Sequence, residues 1–314
     1  MTLRKILITG ANGQLGWELG QLAATYPAFE FVLVDRTQLD LSQPEVFEQI
    51  IQDVAPDCII NTAAYTAVDK SETEKELAFT VNAIAVQTLA SISKKLSIPF
   101  ITYSTDYVFD GAATAPYLPT TKVDPVNYYG STKATGEALA LEANEQTIVI
   151  RTSWVFSTHG NNFVKTMLRL MKEKESLNIV ADQKGRPTYA RDLAKATMQI
   201  VQAIATGQSI SGIYHYANQG ETTWYDFAVK IKQIAGLSCT LNPIDTGYVD
   251  ICFGDSVLLI LTPDFPFSFE NTGYGYSQSI DSTIDISWSI SNGTVIDSTN
   301  SIWFKPTLRS GYLV

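Results

Sequence analysis

This sequence contains few residues that could bind a metal ion or carry out thiol chemistry. Its 314 residues include two histidines, His159 and His215, and three cysteines, Cys58, Cys239 and Cys252. With so few histidines, neither a zinc site nor a serine–histidine triad is expected. Three cysteines without metal-ligand or redox spacing cannot form an even disulfide framework. We therefore expect reduced structural cysteines, histidines without a catalytic role and no bound metal.

Positive charge and long apolar runs are also scarce. Lysine and arginine total 22 against 32 aspartates and glutamates, and the net charge of -10 argues against nonspecific binding to nucleic acid or acidic membranes. No apolar stretch is long enough to span a bilayer, and the first residues lead straight into a strand-like segment without a signal-peptide apolar region. We therefore expect a cytoplasmic protein that binds neither nucleic acid nor membranes.

Strand-like and helical stretches alternate along the first part of the chain. Short apolar runs lie at residues 3–9, 31–34, 58–61, 100–102 and 148–151, and helical stretches such as 44–52 and 77–95 separate them. This alternation predicts an α/β fold, a Rossmann-like doubly wound parallel sheet in which ligands bind at the carboxyl ends of the strands.

Three regions follow from this organisation. We expect a dinucleotide-binding domain over residues 1–151, with later segments able to return to it, and a smaller substrate-binding lobe over residues 152–244. Within the lobe range lie a helical stretch at 191–205 and a strand-like one at 213–216. Residues 245–314 form a tail of different composition.

A glycine-rich loop joins the first predicted strand to the first predicted helix. Residues 10–16 read GANGQLG and directly follow the apolar run ILIT. Gly10 permits a tight turn, Gly13 lets a phosphate approach the backbone, and Gly16 lets the helix pack on the strand. Asp35 ends the second strand about twenty residues past the loop, where an acid bonds ribose hydroxyls. Together these features predict a dinucleotide site.

Tyr129 and Lys133 are four residues apart in the segment YGSTK. On a helix this spacing places both side chains on one face, so the Lys133 ammonium can sit beside the Tyr129 phenol and favour its ionised form. A phenol whose pKa is lowered towards neutrality can donate or accept a proton. Alone, the pair is also typical of amphipathic helices; with the glycine loop, it predicts a nicotinamide-dependent oxidoreductase.

Five segments closely resemble the dTDP-4-dehydrorhamnose reductases, a family of extended short-chain dehydrogenases/reductases that make dTDP-L-rhamnose. They are residues 10–16 (GANGQLG), 61–69 (NTAAYTAVD), 104–111 (STDYVFDG), 129–133 (YGSTK) and 151–156 (RTSWVF), and the likeness extends over about residues 3–244. The run STDYVFDG separates this family from many sugar epimerases. The resemblance implies NAD(P)H-dependent reduction of the C4 keto group of dTDP-4-dehydro-L-rhamnose, a step in nucleotide-sugar and cell-surface polysaccharide biosynthesis.

The resemblance also implies roles for individual residues. Thr105 hydrogen-bonds the substrate's C4 carbonyl, Tyr129 gives it a proton, and Lys133 holds the nicotinamide ribose while lowering the Tyr129 pKa. Positions matching those that contact the nucleotide sugar are Thr105, Asp106, Tyr107, Trp154 and Arg186, the last pairing with a phosphate; Trp154 is also interpretable as a core aromatic. Positions matching those that cradle the dinucleotide are Gly10, Asn12, Gly13, Gln14, Leu15, Asp35, Asp40, Leu41, Ala63, Ala64, Tyr65 and Lys133.

The sequence leaves open whether the cofactor is NADPH or NADH and whether the protein is this reductase or a related protein. Asp35 disfavours the 2′-phosphate of NADPH by like charge, whereas Arg36 beside it can accept that group, so we expect NADPH with NADH as a second cofactor. The alternatives to a reductase are a regulatory subunit that resembles the methionine adenosyltransferase beta subunit and another nucleotide-sugar reductase or epimerase. The intact Thr105, Tyr129 and Lys133 favour an enzyme. The oligomeric state is open, with a homodimer as one option.

The last seventy residues differ from the rest of the chain and from the family. Residues 245–314 contain two basic residues, Lys305 and Arg309, against eight acids, where family members carry a basic, proline-containing segment and a final helix. Residues 284–290 alternate strictly between apolar and polar, and Asn292 with Gly293 predicts a type I′ hairpin turn. The tail is either a β-rich replacement or the product of a reading frame altered near residues 245–247, and the sequence favours the second.

Overall fold

The computed structural model describes residues 3–246, 269–271, 276–280 and 284–288. Its central sheet is built from β1 (Lys5–Thr9), β2 (Glu30–Val34), β3 (Cys58–Asn61), β4 (Phe100–Thr105), β5 (Thr147–Thr152) and β10 (Gly212–His215). These strands pair in parallel, in the order β10, β5, β4, β3, β1, β2. The order reverses direction at β1, as in a doubly wound sheet.

Helices cover both faces of this sheet. The α-helices of the described residues are α1 (Gln14–Leu22), α2 (Phe47–Val54), α3 (Val68–Ser71), α4 (Lys75–Phe79), α5 (Ala85–Leu96), α6 (Tyr128–Ala143), α7 (Phe163–Glu173), α8 (Ala190–Ala205) and α9 (Trp224–Ala235), of which α1, α2, α5 and α8 pack in the two cores of the sheet. The helix predicted at 77–95 contains a turn of π-helix, Thr80–Ile84, between α4 and α5. A π turn is a rare local distortion that often accompanies a functional site.

The side chains of β1 show why helices pack on both faces of the sheet. Successive residues of a strand point to opposite faces. Ile8 packs in one buried core with Leu19 of α1, whereas Leu7 packs in a second core with Phe47 of α2 and Leu89 of α5. The strands are therefore apolar on both sides, which explains their short, wholly apolar sequences. The predicted Rossmann-like α/β fold with a doubly wound parallel sheet is confirmed.

Two segments from the range predicted for the substrate lobe return to the central sheet. β10 pairs with β5 at the edge of the sheet, and α8 packs against α1 through Leu193 and Met198. The sequence allowed for such returning segments but did not identify them. Because α8 is amphipathic and β10 is short, local patterning could not show which core each would join.

The remaining elements of this part of the chain form a smaller layer. Met167 and Met171 of α7 pack with Ala228 and Ile231 of α9 beside a parallel pair of strands. That pair is β7 (Ser176–Val180) and β12 (Thr240–Ile244). Two short pairings also occur, β6 (Val155–Phe156) with β9 (Thr188–Tyr189) and β8 (Lys184–Gly185) with β11 (Thr222–Thr223). The boundary between domains stays a prediction.

Few features of the tail lie within the described residues. Three short strands, β13 (Phe269–Asn271), β14 (Tyr276–Ile280) and β15 (Ile284–Trp288), pair in antiparallel fashion. β15 coincides with the alternating segment, whereas the predicted turn at Asn292 and Gly293 lies outside the described residues. Cys58 and Cys239 are buried free thiols, and Cys252 also lies outside. Among the described residues, no helix combines the length and the apolar character needed to cross a bilayer.

Candidate active site

A cavity of about 800 Å³ opens at the carboxyl ends of β1, β3 and β4. Parallel sheets of this kind bind ligands at this edge, next to the point where the strand order reverses. Every residue that the resemblance assigned to the dinucleotide lines this cavity. They are Gly10, Asn12, Gly13, Gln14, Leu15, Asp35, Asp40, Leu41, Ala63, Ala64, Tyr65 and Lys133.

The loop between β1 and α1 is shaped to receive an anion. Gly10 has a φ of 71°, and a Cβ atom there would lie 2.8 Å from the backbone nitrogen of Ala63. The N–H of Gly13 donates to the carbonyl oxygen of Gly10 at 2.9 Å, and α1 begins at the next residue. The unpaired N–H groups of the first helical turn therefore face the cavity, where a pyrophosphate fits.

Polar groups at the end of β2 hold Asp35 in place. Its carboxylate accepts hydrogen bonds from the hydroxyl of Thr37 at 2.6 Å and from the amide of Asn12 at 3.0 Å. These bonds, the one from Thr37 above all, lower the pKa of Asp35 below its usual value. The ionised carboxylate suits two ribose hydroxyls. Arg36 lines the same part of the cavity, with its Nε 3.1 Å from Oδ2 of Asp40.

Helix α6 brings Tyr129 and Lys133 to the other end of the cavity. Asn127 caps the helix, because its Oδ1 accepts the N–H of Gly130 at 2.7 Å. Tyr129 and Lys133 are 8% and 5% exposed, and both line the cavity. The Lys133 ammonium donates to the carbonyl oxygen of Tyr103 at 2.7 Å. A buried phenol and an ammonium thus line the same cavity as the glycine loop.

The predicted effect of Lys133 on the Tyr129 pKa is wrong for this structure. Burial raises the pKa of Tyr129 and the nearby Asp106 carboxylate raises it further, while a hydrogen bond with Thr105 lowers it. Burial also lowers the pKa of Lys133 to about 8, and the carboxylate of Glu137 raises it in part. Helical spacing could not reveal burial, which is the largest influence on both pKa values.

Thr105, the last residue of β4, is followed by Asp106 and by Tyr107, whose ring contacts Tyr129. The Thr105 hydroxyl donates to Oδ1 of Asp106 at 3.0 Å and accepts the N–H of Tyr107 at 3.2 Å. The rings of Tyr107 and Tyr129 meet edge to face with centroids 5.6 Å apart. Asp106 is 1% exposed, and its other carboxylate oxygen, Oδ2, has no hydrogen-bond partner among the described residues. Burial raises the pKa of Asp106 to about 7.

Trp154 and Arg186 lie together beside the cavity. Trp154 has a φ of 47°, a strained value for a bulky residue, and its indole stacks on Trp224 with ring centroids 3.5 Å apart. A Cβ atom at Gly185 would lie only 2.3 Å from that indole. Within the described part of the chain, Nε1 of Trp154 and Nε of Arg186 are buried without a hydrogen-bond partner. Neither residue lines the cavity itself.

Sequence reasoning missed Asn82, which lies in the π turn. Its Oδ1 accepts the backbone N–H of Tyr65 at 2.9 Å, and its Nδ2 donates to the carbonyl oxygen of Tyr65 at 3.0 Å and to the Thr132 hydroxyl at 3.1 Å. Asn82 thus fastens the loop after β3 to the helix that carries Tyr129. An amide in the mostly apolar stretch 77–95 was the available signal.

This geometry defines the class of protein. A glycine loop that suits a pyrophosphate, an acid placed for ribose hydroxyls, and a Tyr–Lys pair one helical turn apart share one cavity, as in nicotinamide-dependent short-chain dehydrogenases/reductases. The sequence model of the family described as RmlD substrate binding domain matches residues 4–249. The chain belongs to this family.

Known members of the family are similar over most of their length. The dTDP-4-dehydrorhamnose reductase of Burkholderia thailandensis is 45% identical over 228 residues, which are 71% of this chain and 76% of that protein. The enzyme of the same name from Escherichia coli K12 is 40% identical over 246 residues, 76% of this chain and 82% of that protein. A crystal structure of dTDP-4-dehydrorhamnose reductase from Bacillus anthracis in complex with NADP gives a TM-score of 0.73 at 37% identity, covering 78% of this chain and 85% of that one.

Proposed function

We propose that this chain reduces the C4 keto group of dTDP-4-dehydro-L-rhamnose to give dTDP-L-rhamnose, with NADPH as the electron donor and NADH as a second cofactor. The observation that carries this proposal is the shared cavity, which is lined by Tyr129, Lys133 and the glycine loop. When bound, the dihydronicotinamide supplies the hydride that reduces C4. The three relatives described above are named dTDP-4-dehydrorhamnose reductases, which supports the substrate.

Residues of the chain bind the cofactor and donate the proton. The loop from Gly10 to Gly16 binds the pyrophosphate, and Asp35 holds the ribose at the adenosine end. Lys133 holds the other ribose. Tyr129 donates its proton to the C4 oxygen, where negative charge grows during reduction, and its raised pKa keeps that proton in place until then.

Two buried donors suit the nucleotide sugar. Arg186 has an unpartnered guanidinium N–H, so we infer that it pairs with a phosphate of the dTDP group. Trp154 has an unpartnered indole N–H and a rigid, stacked ring, which suits a contact to the sugar. Tyr107 completes this group through its contact with Tyr129. We also place the protein in the cytoplasm, and a homodimer stays a prediction.

The alternative of a non-catalytic regulatory subunit is less well supported. The three residues that the proposed reductase uses, Thr105, Tyr129 and Lys133, are present, and Tyr129 and Lys133 line one cavity. The relatives at 40–45% identity are named as reductases. The other alternative, a reductase that acts on a different nucleotide sugar, differs from the proposal only in its substrate. Absorbance assays of NADPH oxidation with a panel of dTDP-4-keto-6-deoxy sugars separate these readings. Turnover of dTDP-4-dehydro-L-rhamnose in preference to the other sugars supports the proposal, and no turnover of any of them contradicts it.

A further inference from the structure

Residues 157–162, STHGNN, connect β6 to α7 and lie against the first helix of the central sheet. We call this segment the strap. The Ser157 hydroxyl donates to Oε1 of Glu18 at 2.6 Å, and the amide of Asn162 donates to Oε1 of Gln14 at 3.0 Å. Gln14 and Glu18 are four residues apart and so lie on one face of α1. The strap is therefore bonded to that face at both of its ends.

The middle of the strap contacts the glycine loop. Nε2 of His159 lies 3.0 Å from the carbonyl oxygen of Asn12, and since a carbonyl oxygen only accepts, Nε2 carries the proton. The His159 ring also stacks on Trp17, with ring centroids 5.0 Å apart and planes within 5°. The backbone N–H of His159 donates to Oγ of Ser157 at 3.0 Å, which joins the middle of the strap to the end that Glu18 holds.

The bond between Ser157 and Glu18 is enclosed by protein. Ser157 is 4% exposed and Glu18 is 0% exposed. The second carboxylate oxygen of Glu18, Oε2, lies 3.9 Å from a guanidinium nitrogen of Arg191, and this ion pair offsets part of the buried charge. Hydrogen bonds to a charged group are among the stronger ones in proteins. The Ser157–Glu18 bond therefore fixes where the strap lies on α1.

Two strap residues that make none of these bonds line the dinucleotide cavity, together with the glycine loop. They are Gly160 and Asn161. Gly160 has a φ of 71°, and a Cβ atom there would lie 3.2 Å from Cγ of Gln14, the first residue of α1. The strap thus reaches the helix end where a pyrophosphate fits. The side-chain amide of Asn161 has two N–H donors, which suit the oxygens of a phosphate.

We propose that the strap is a second wall of the pyrophosphate site, in which the Asn161 amide donates to a phosphate oxygen of the dinucleotide and Ser157 and Glu18 are positioning residues. This inference rests on the dinucleotide part of the proposed function. It brings a residue from the chain beyond β5 to the ligand of a loop that follows β1. The nucleotide sugar also carries a pyrophosphate, so the test includes dTDP to distinguish the two sources.

Calorimetry with the parent, Asn161→Ala and Thr158→Ala tests the contact. Asn161→Ala should weaken the binding of NADPH and of 2′-phospho-ADP-ribose by about 10-fold each, because a hydrogen bond to a charged group is lost. The affinity for 2′-AMP, which lacks the pyrophosphate, and for dTDP should stay at the parent value. Thr158→Ala is the matched control, since Thr158 is also an exposed polar residue of the strap but does not line the cavity.

Several binding results would overturn the inference. Equal NADPH affinities in the parent and Asn161→Ala would exclude the contact. A loss for NADPH without one for 2′-phospho-ADP-ribose would place Asn161 at the nicotinamide instead. A loss for dTDP would place it on the nucleotide sugar. A Thr158→Ala variant as impaired as Asn161→Ala would indicate a general disturbance of the strap.

The positioning role has a test of its own. Ser157→Ala removes the donor to Glu18 and should weaken NADPH binding, whereas Ser157→Thr keeps the hydroxyl and should restore most of the affinity. If Ser157 acts through Asn161, adding Ser157→Ala to Asn161→Ala should cost little further affinity. Losses that add in full would overturn this role. So would a Ser157→Ala variant that is less stable in urea but binds NADPH as the parent does.

These measurements do not use the keto sugar, so they separate the strap from the proposed reaction. If the affinities change as expected while no 4-keto sugar is reduced, the proposed substrate fails and the assignment of the strap stands. If the parent reduces dTDP-4-dehydro-L-rhamnose and Asn161→Ala binds NADPH as tightly as the parent, the assignment of the strap fails and the reductase proposal stands.

Discussion

The ammonium of Lys133 donates to the main-chain carbonyl oxygen of Tyr103 at 2.7 Å, which ties helix α6 to strand β4 inside the cavity. Lys133 is 5% exposed, so this bond is made in a largely water-free place. Hydrogen bonds that involve a charged group are among the stronger ones in proteins. The link therefore fixes the ammonium where the nicotinamide ribose is expected to bind.

Replacing Lys133 should impair both cofactor binding and turnover. Lys133→Met keeps much of the side-chain volume but leaves the Tyr103 carbonyl without its donor and removes the ribose contact. We expect weaker NADPH binding by calorimetry and a lower kcat. Lys122→Met is a suitable control, since Lys122 is exposed and does not line the cavity. Unchanged NADPH affinity in Lys133→Met would contradict the assigned role.

The glycine loop can be tested by filling the space that it leaves. Gly13 lines the cavity, and a Cβ atom there would have one close neighbour, the Gly10 oxygen at 3.2 Å. A valine side chain there would crowd both that oxygen and the pyrophosphate, so Gly13→Val should abolish most NADPH binding. Ala115→Val adds two methyl groups at an exposed position and should bind as the parent does. Equal calorimetric affinities in both variants would mean that the loop is misassigned.

A buried ion pair between α6 and β5 should matter for stability. Glu137 and Arg151 are 5% and 2% exposed, and Arg151 contacts Glu137 through Nε at 2.9 Å and Nη2 at 2.6 Å. Arg151→Met leaves the buried Glu137 carboxylate without its hydrogen-bonded partner and should cost about 3–5 kcal/mol of unfolding free energy. Adding Glu137→Leu should recover much of that loss. Urea denaturation measures both, and a double variant less stable than Arg151→Met would refute this explanation.

Removing the tail should leave the dinucleotide domain folded. The six strands of the central sheet end at His215, and Thr246 bonds back to Asp182 at 2.6 Å. We therefore expect a chain that ends at residue 246 to unfold cooperatively and to bind NADPH. A truncated chain that neither folds nor binds would show that the tail completes the core, and it would count against an altered reading frame.

Much of the fold could be read from the sequence because short-range patterns determine it. Apolar runs bounded by turns gave the buried strands, and GANGQLG with Asp35 gave the dinucleotide cavity. The alternating pattern could not show that α8 and β10 join the central sheet, since that depends on contacts between distant residues. Burial of Tyr129 and Asp106 also depends on such contacts, so the sequence could not show how burial changes their pKa values. Nor could it show that Lys133 donates to the Tyr103 carbonyl, because a main-chain group leaves no mark in the sequence.

The most direct test of the reductase account is the effect of Tyr129→Phe on NADPH oxidation with dTDP-4-dehydro-L-rhamnose. Phenylalanine keeps the ring that packs against Tyr107 but lacks the proton that the C4 oxygen needs. General acid catalysis typically contributes about 10²–10⁴-fold, so we expect kcat to fall by that order while NADPH affinity stays close to the parent value. A parent enzyme that turns over and a Tyr129→Phe variant that is equally fast would contradict the account.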